Sequence, residues 1–202
     1  MAVNLARKRL ALKVEFESLL LSLSNQFINL PSAQVDHGIH NALETIGLFA
    51  GADRSWIIEL DSNAELASNT YEWCASGIES AIHVVQDFPL DKAPWWTERM
   101  QELRVIHIPR VSELPAEAAT EKELLSIQGI KSIVAVPLVY AGQLKGMLGF
   151  DAVLEEKIWP DVFINLLQIV GEMLSNALQR KKTELERAES ETRFYNVAEG
   201  LA

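Results

Sequence analysis

"KSIVAVPLVYAGQLKGMLGFDAV", residues 131–153, sets two apolar runs on either side of the short break Ala141-Gly142-Gln143. Branched and aromatic residues fill the runs and a glycine sits in the break, so the stretch reads as a β-hairpin. Gly146 and Gly149 leave room for close backbone approach, and Pro137, which cannot donate to a ladder, predicts an edge or a bulge at that point of its strand.

Working toward the N-terminus, "GADRSWIIELD" (51–61) alternates Trp56, Ile58 and Leu60 against Ile57 and Glu59, and "SNAEL" supplies a turn before "ASNTYEWCAS" (67–76). This is a second hairpin. In its second strand Tyr71, Trp73 and Ala75 share one face; Thr70, Glu72, Cys74 and Ser76 share the other. Two helices precede it. Apolar residues from about 5 to 29 recur at steps of three and four, Pro31 ends that helix, and Ser32 is placed to cap a second one that carries Val35, Ile39, Leu43, Ile46 and Phe49 and stops at Gly51.

Between the hairpins, residues 77–130 predict a short helix near Pro94, a strand "RVIHI" (104–108) and a helix from about Pro115 to Gln128, with Gly129 as its stop. An excursion of this length usually carries function or covers a cavity. From Pro160 onward Leu166, Val170, Met173 and Ala177 keep helical rhythm, and the seam continues through Lys181, Leu185, Ala188 and Tyr195. The step of four taken twice, 177 to 181 to 185, resembles a coiled-coil stutter. A helix charged around most of its circumference, as "QRKKTELERAESETR" is, leaves the globule and needs a partner.

The 202 residues are 49% hydrophobic and 23% charged, which suits one globular domain with extra helical segments. A formal charge of -10 argues against a nucleic-acid partner, since affinity for a phosphate backbone rests on clustered Lys and Arg. Lys13, Glu15 and Glu17 break the N-terminal apolar run before it reaches signal-peptide or membrane-spanning form, so the expected location is cytoplasmic, with no membrane segment in the chain.

Cys74 is the single cysteine, which rules out an intrachain disulfide, and no Cys/His cluster has zinc spacing. His37 and His40 lie one helical turn apart but lack further ligands. No nucleophilic triad, phosphate loop or paired acid/base motif is present, so catalysis is not expected. For Cys74 itself, a small buried wall residue is the better reading, because a nucleophile needs a base and His83 lies beyond a turn; a ligand-facing position comes second.

Taken in order, "GADRSWIIELD", "TYEWCASGIE", "FPLDKAPWWTERMQEL", "VIHIPRVSELP", "EAATEKELLSIQGIKSIVAVPL", "GQLKGMLGFDAV" and "LLQIVGEMLSNALQRK" resemble a GAF domain of bacterial sensor histidine kinases and diguanylate cyclases. The resemblance covers roughly residues 24–182, with an N-terminal signalling helix over 1–23 and a helical linker over 183–202. The tail "ESETRFYNVAEGLA" resembles the opening of a PAS domain.

The resemblance implies an α+β fold with an antiparallel sheet of about six strands. The N- and C-terminal helices pack on one face, and loops and short helices cover a cavity on the other. It further implies a small-molecule effector, a parallel homodimer through the terminal helices, and downstream PAS and output domains in the same protein. Ligand-binding candidates are Trp95, Trp96 and His107, from segments bordering the cavity, with Cys74 and with Asp151 at the end of "GMLGF". The competing reading is that the tryptophans only cap the sheet. Bilin-binding members commonly carry histidine after their cysteine, whereas Ala75 follows Cys74, which argues against covalent bilin; the effector is an unknown small molecule. A ligand-free dimerisation and spacer module is the alternative. Free methionine sulfoxide reductases share the fold but depend on several cysteines.

Overall fold

The computed structural model describes residues 2–199. Gly200–Ala202, the end of the tail that resembles a PAS opening, lie outside it, as do the side chains of Leu166 and Tyr195 in the C-terminal seam. Helix α1 runs Ala2–Ile28 and α2 runs Val35–Ala50. Pro31 is extended, and a single 3-10 turn, Ser32–Gln34, separates it from α2. This turn corrects one expectation. Ser32 lies three residues ahead of the helix and makes no cap; its hydroxyl donates instead to the Glu184 carboxylate. Gly51 closes α2 in the left-handed region at φ 57, where its N–H returns to the Gly47 carbonyl.

The strands are β1 (Arg54–Leu60), β2 (Leu66–Cys74), β3 (Phe88–Pro89), β4 (Ile106–Ile108), β5 (Ser132–Tyr140) and β6 (Gln143–Ala152). They form one sheet in the order β3-β2-β1-β6-β5-β4, antiparallel at every pairing. The β5–β6 turn has Ala141 and Gly142 both at positive φ, the twist that a two-residue hairpin turn requires. Because β4 pairs only with residues 133–135 of β5, that strand is an edge by the time it reaches Pro137. Helices α3 (Pro94–Gln101) and α4 (Ala119–Ile127) fill the long middle segment.

Both sheet faces are covered, by different material. On one face Ile57, Val134, Val136, Leu138, Leu148 and Phe150 meet α2 and the first half of α5 (Asp161–Glu199), forming a core in which most side chains are fully buried. Each such Leu or Phe contributes roughly 1.5–3 kcal/mol through its removal from water. On the other face Trp56, Ile58, Ile133, Ala135 and Met147 meet α3, α4 and their loops. The architecture is α+β, a six-stranded antiparallel sheet with the terminal helices on one side.

Beyond Lys181 helix α5 is exposed on every described side chain. Just before it departs, it grips the α1–α2 connection. The Arg180 guanidinium donates to the carbonyls of Phe27 and Leu30, each at 3.0 Å, and so satisfies oxygens left open at the end of α1. The Lys181 ammonium donates to Asp36 Oδ2 at 2.7 Å, and Tyr71 of β2 donates its hydroxyl to the same carboxylate. Both donors hold the Asp36 carboxyl below its usual range, Lys181 most strongly.

Candidate functional site

On the second face, beneath α3, α4 and the loop over 81–93, lies a cavity of about 120 Å³. Its floor is the sheet and its walls include two indoles, Trp56 and Trp96. Gly149 makes the first of these possible. It stands opposite Trp56 in the β1–β6 ladder, and a Cβ there would fall 2.1 Å from the indole ring. With that space free, Trp56 lies across β6 and donates Nε1–H to Asp151 Oδ1 at 3.0 Å.

Asp151 is buried against an equally buried Arg54, whose Nη2 stands 3.2 Å from Oδ2 and also donates to the Gln128 carbonyl at 3.3 Å. Burial is the main influence on this carboxyl and pushes it up to about 6, while Arg54 pulls the other way. The pair therefore ties β1, β6 and the end of α4 together from inside the protein. A second carboxylate, Glu72, accepts the backbone N–H groups of Ala81 at 3.0 Å and Ile82 at 3.2 Å, and so pins the loop that roofs the cavity.

Glu121 is the third carboxylate. It is 3% exposed; its Oε1 accepts the backbone N–H of Trp96 at 3.2 Å, and Oε2 is buried without a partner. Asn69 Oδ1 is in the same condition. A β-bulge turns Asn69 inward, because the register shifts from Ile57–Tyr71 to Ile58–Asn69 and leaves Thr70 unpaired. Unpartnered buried acceptors of this kind cost about 1–3 kcal/mol each, more for a charge, unless something in the cavity supplies a donor.

Residues 35–178 match the GAF domain family. The chain belongs to the GAF family. It is 31% identical over 165 residues to the methanogenesis regulatory histidine kinase FilI of Methanothrix harundinacea (strain 6Ac). The aligned part is 78% of this chain but only 18% of that relative. Among solved structures, the phycocyanobilin-bound GAF domain of a cyanobacterial phytochrome superposes with a TM-score of 0.70 at 18% identity, covering 84% of this chain and 96% of that one. A domain of a two-component sensor histidine kinase protein from Sinorhizobium meliloti 1021 gives 0.60 at 20% identity, covering 76% of this chain and 97% of that one. These superpositions speak to the fold. The GAF domain is a regulatory domain of signalling proteins such as histidine kinases.

Of the residues singled out in the sequence, Trp96 and Asp151 line the cavity of this GAF domain. Trp95 does not line it; it is half-buried against the same apolar cluster, with the Arg99 guanidinium 3.7 Å over its ring. Cys74, at the end of β2, is half-buried, and its thiol donates to Glu72 at 3.5 Å. Burial and the neighbouring Glu72 charge push the thiol up to about 11, which leaves little thiolate at neutral pH. His107 does not line this cavity. Ile106 and Ile108 take the cavity face of β4, so alternation turns His107 to the helical face, where its ring meets Trp159 at 6.3 Å. Among the described residues no group of His, Cys, Asp or Glu is placed to hold a metal ion, and no helix is long and apolar enough to cross a membrane.

Sequence reading passed over Arg54, Asn69, Glu72 and Glu121. Glu121 left a signal. Ala118, Glu121 and Leu125 are spaced three and four apart, the buried stripe of the α4 region, and a glutamate on that stripe is a buried carboxylate.

Proposed function

We propose that this GAF domain is a sensory module that binds a small effector in the cavity and passes the event through its terminal helices to an output domain. The observation that carries this reading is the pair of buried acceptors, Glu121 Oε2 and Asn69 Oδ1, that belong to residues lining the cavity and have no partner in the protein. An effector acts by preferring one of two arrangements of the protein. The grip of Arg180, Lys181 and Glu184 on the α1–α2 connection supplies the element whose arrangement can change. The assignment of residues 1–23 to a signalling helix and 183–202 to a linker into a PAS domain belongs to the same proposal, as does a kinase or diguanylate cyclase output.

The module works as a parallel homodimer. Val14, Leu21 and Ile28 are exposed on α1 at steps of seven, and Val162 and Ile169 repeat the step on α5. A seven-residue apolar repeat is the seam of a parallel coil, and a second copy presents the same seam in register.

A second reading, a ligand-free dimerisation and spacer module, draws on the small size of the cavity, much of whose surroundings Trp56, Trp96 and Met147 already occupy. Native mass spectrometry of the chain purified from its own host, before and after denaturation, decides between them. The expected result is a dimer with a mass excess that vanishes on denaturation. A dimer of bare chain mass favours the spacer, and an excess that survives denaturation makes Cys74 a covalent anchor.

A further inference from the structure

The lining of the cavity carries three carboxylates, Glu72, Glu121 and Asp151, and no lysine, arginine or histidine. Two of the three are already answered inside the protein. Asp151 has Arg54 and the Trp56 N–H, and Glu72 has the backbone N–H groups of Ala81 and Ile82. Glu121 has one N–H, from Trp96, and a buried Oε2 with none. Apart from the Asn69 amide N–H groups, the donors that line the space are spent elsewhere. Trp96 Nε1 points at Met147 Sδ at 2.9 Å, the Thr97 hydroxyl donates to the Leu90 carbonyl at 2.8 Å, and the Gln128 amide donates to the Leu124 carbonyl at 3.0 Å. Arg54 Nε is also unpartnered, but Arg54 lies behind Asp151 and does not line the cavity.

What remains open to an occupant is therefore the unanswered Glu121 carboxylate and the Asn69 amide on an otherwise apolar, indole-walled surface. An anionic occupant would meet uncompensated negative charge at short range in a poorly screened space. A cation with N–H groups would satisfy Glu121 Oε2 by a charge-assisted hydrogen bond and lie against the π-face of Trp56 or Trp96.

Building on the sensory reading above, we infer that the effector is a compact protonated amine on an apolar or aromatic body, its ammonium held by Glu121 Oε2 and Asn69 Oδ1. Such a ligand converts the largest uncompensated group of the cavity into the determinant of specificity. It also links α4, through Glu121, to β2, through Asn69, across the space.

The test uses three probes of one shape and different charge, benzylamine, benzyl alcohol and benzoate, titrated into the purified full chain by ligand-observed NMR and tryptophan fluorescence. Benzylamine is expected to bind at least about tenfold more tightly than benzyl alcohol, the value of one charge-assisted hydrogen bond, with no saturable binding of benzoate. Glu121→Gln keeps the shape and the acceptor for the Trp96 N–H, and should reduce the preference for benzylamine to within about threefold while leaving benzyl alcohol unchanged. Asn69→Leu, which removes the second acceptor at nearly constant volume, should cut benzylamine affinity by about threefold and serves if the first variant does not fold.

Equal or tighter binding of benzoate or benzyl alcohol overturns the inference. So does a preference that survives Glu121→Gln, and so does the absence of saturable binding by all three probes. The sensory reading fails separately. A neutral or anionic occupant in the host-purified chain overturns the amine and leaves the sensor, whereas a bare chain mass counts against the sensor itself.

Discussion

The two faces of one sheet are built to opposite specifications. Under α2 and α5 the inward positions form one packed apolar cluster, and Leu148 and Phe150 are fully buried. One residue along the same strand, Met147 borders a cavity, and Asp151 and Glu121 are buried charges. The largely apolar, close-packed face gives the sheet most of its stability, although His107, Trp159 and Ser175 keep unpartnered polar atoms there, and the opposite face holds space and buried carboxylates that cost stability. Stability and recognition are separated by the period-2 alternation of the strands, not by distance along the chain.

The hardest way to break this division is to remove one member of the ion pair that spans the polar face. Replacing Arg54 with methionine leaves Asp151 buried without its counter-charge and with only Trp56 for a partner, and chemical denaturation should show a loss of about 3–5 kcal/mol. The double variant Arg54→Met, Asp151→Leu removes both charges and should recover most of that loss. If the double variant is as unstable as the single one, the two residues are held by packing and the electrostatic account of this face is wrong.

A smaller effect sharpens the contrast between neighbours. Leu148→Ala opens a hole in the packed face and is expected to lose about 4 kcal/mol, whereas Met147→Ala enlarges existing space and should lose nearer 2. Fewer neighbouring atoms are forfeited at Met147, because part of its surface already faces the cavity. Equal losses in urea titrations of the two variants would mean that the faces are packed alike.

Much of this division is legible in the residues themselves. The hairpins announce themselves by alternation and by Ala141-Gly142, and the helical face follows from the spacing of Val35, Ile39, Leu43 and Ile46. The sites are harder for definite physical reasons. His107 sits in a strand buried on both sides, so alternation separates it from Ile106 and Ile108 without telling which side holds the cavity. Asn69 is turned inward by the bulge at Thr70, which depends on how β2 meets β1 and leaves no composition signal. Arg54 and Asp151 lie far apart in the chain, and only the β1–β6 register places them opposite each other. Glu121 alone carried a local sign, its place on the apolar stripe of α4.

The smallest effect is one of sign, and acid titration reads it. Burial raises Asp151 to about 6, above the 3.8 of a free aspartate, so the native state holds that proton more tightly than the unfolded chain does. Its contribution is full below pH 3.8 and is lost as pH rises through 6. Arg54 and Glu72 face the same carboxylate, Arg54 pulling it down and Glu72 pushing it up. On the helical side the order is reversed. His107 is lowered, chiefly by burial, so its contribution is full above 6.5 and is lost as pH falls through its folded value, with Asp161 the charge that opposes the shift. Asp36 is lowered by Lys181 and Tyr71, so its contribution is lost only on acidification below 3.8. Between pH 7 and 5 the two faces therefore pull in opposite directions. Replacing His107 with leucine removes one side of the balance, and melting should then rise by about 2–4 °C on going from pH 7 to 5 for each kcal/mol that Asp151 contributes. Adding Asp151→Asn to that variant should flatten the rise. A rise that persists in the double variant would place the responsible proton elsewhere, and the opposition of the two faces would then hold for packing but not for charge.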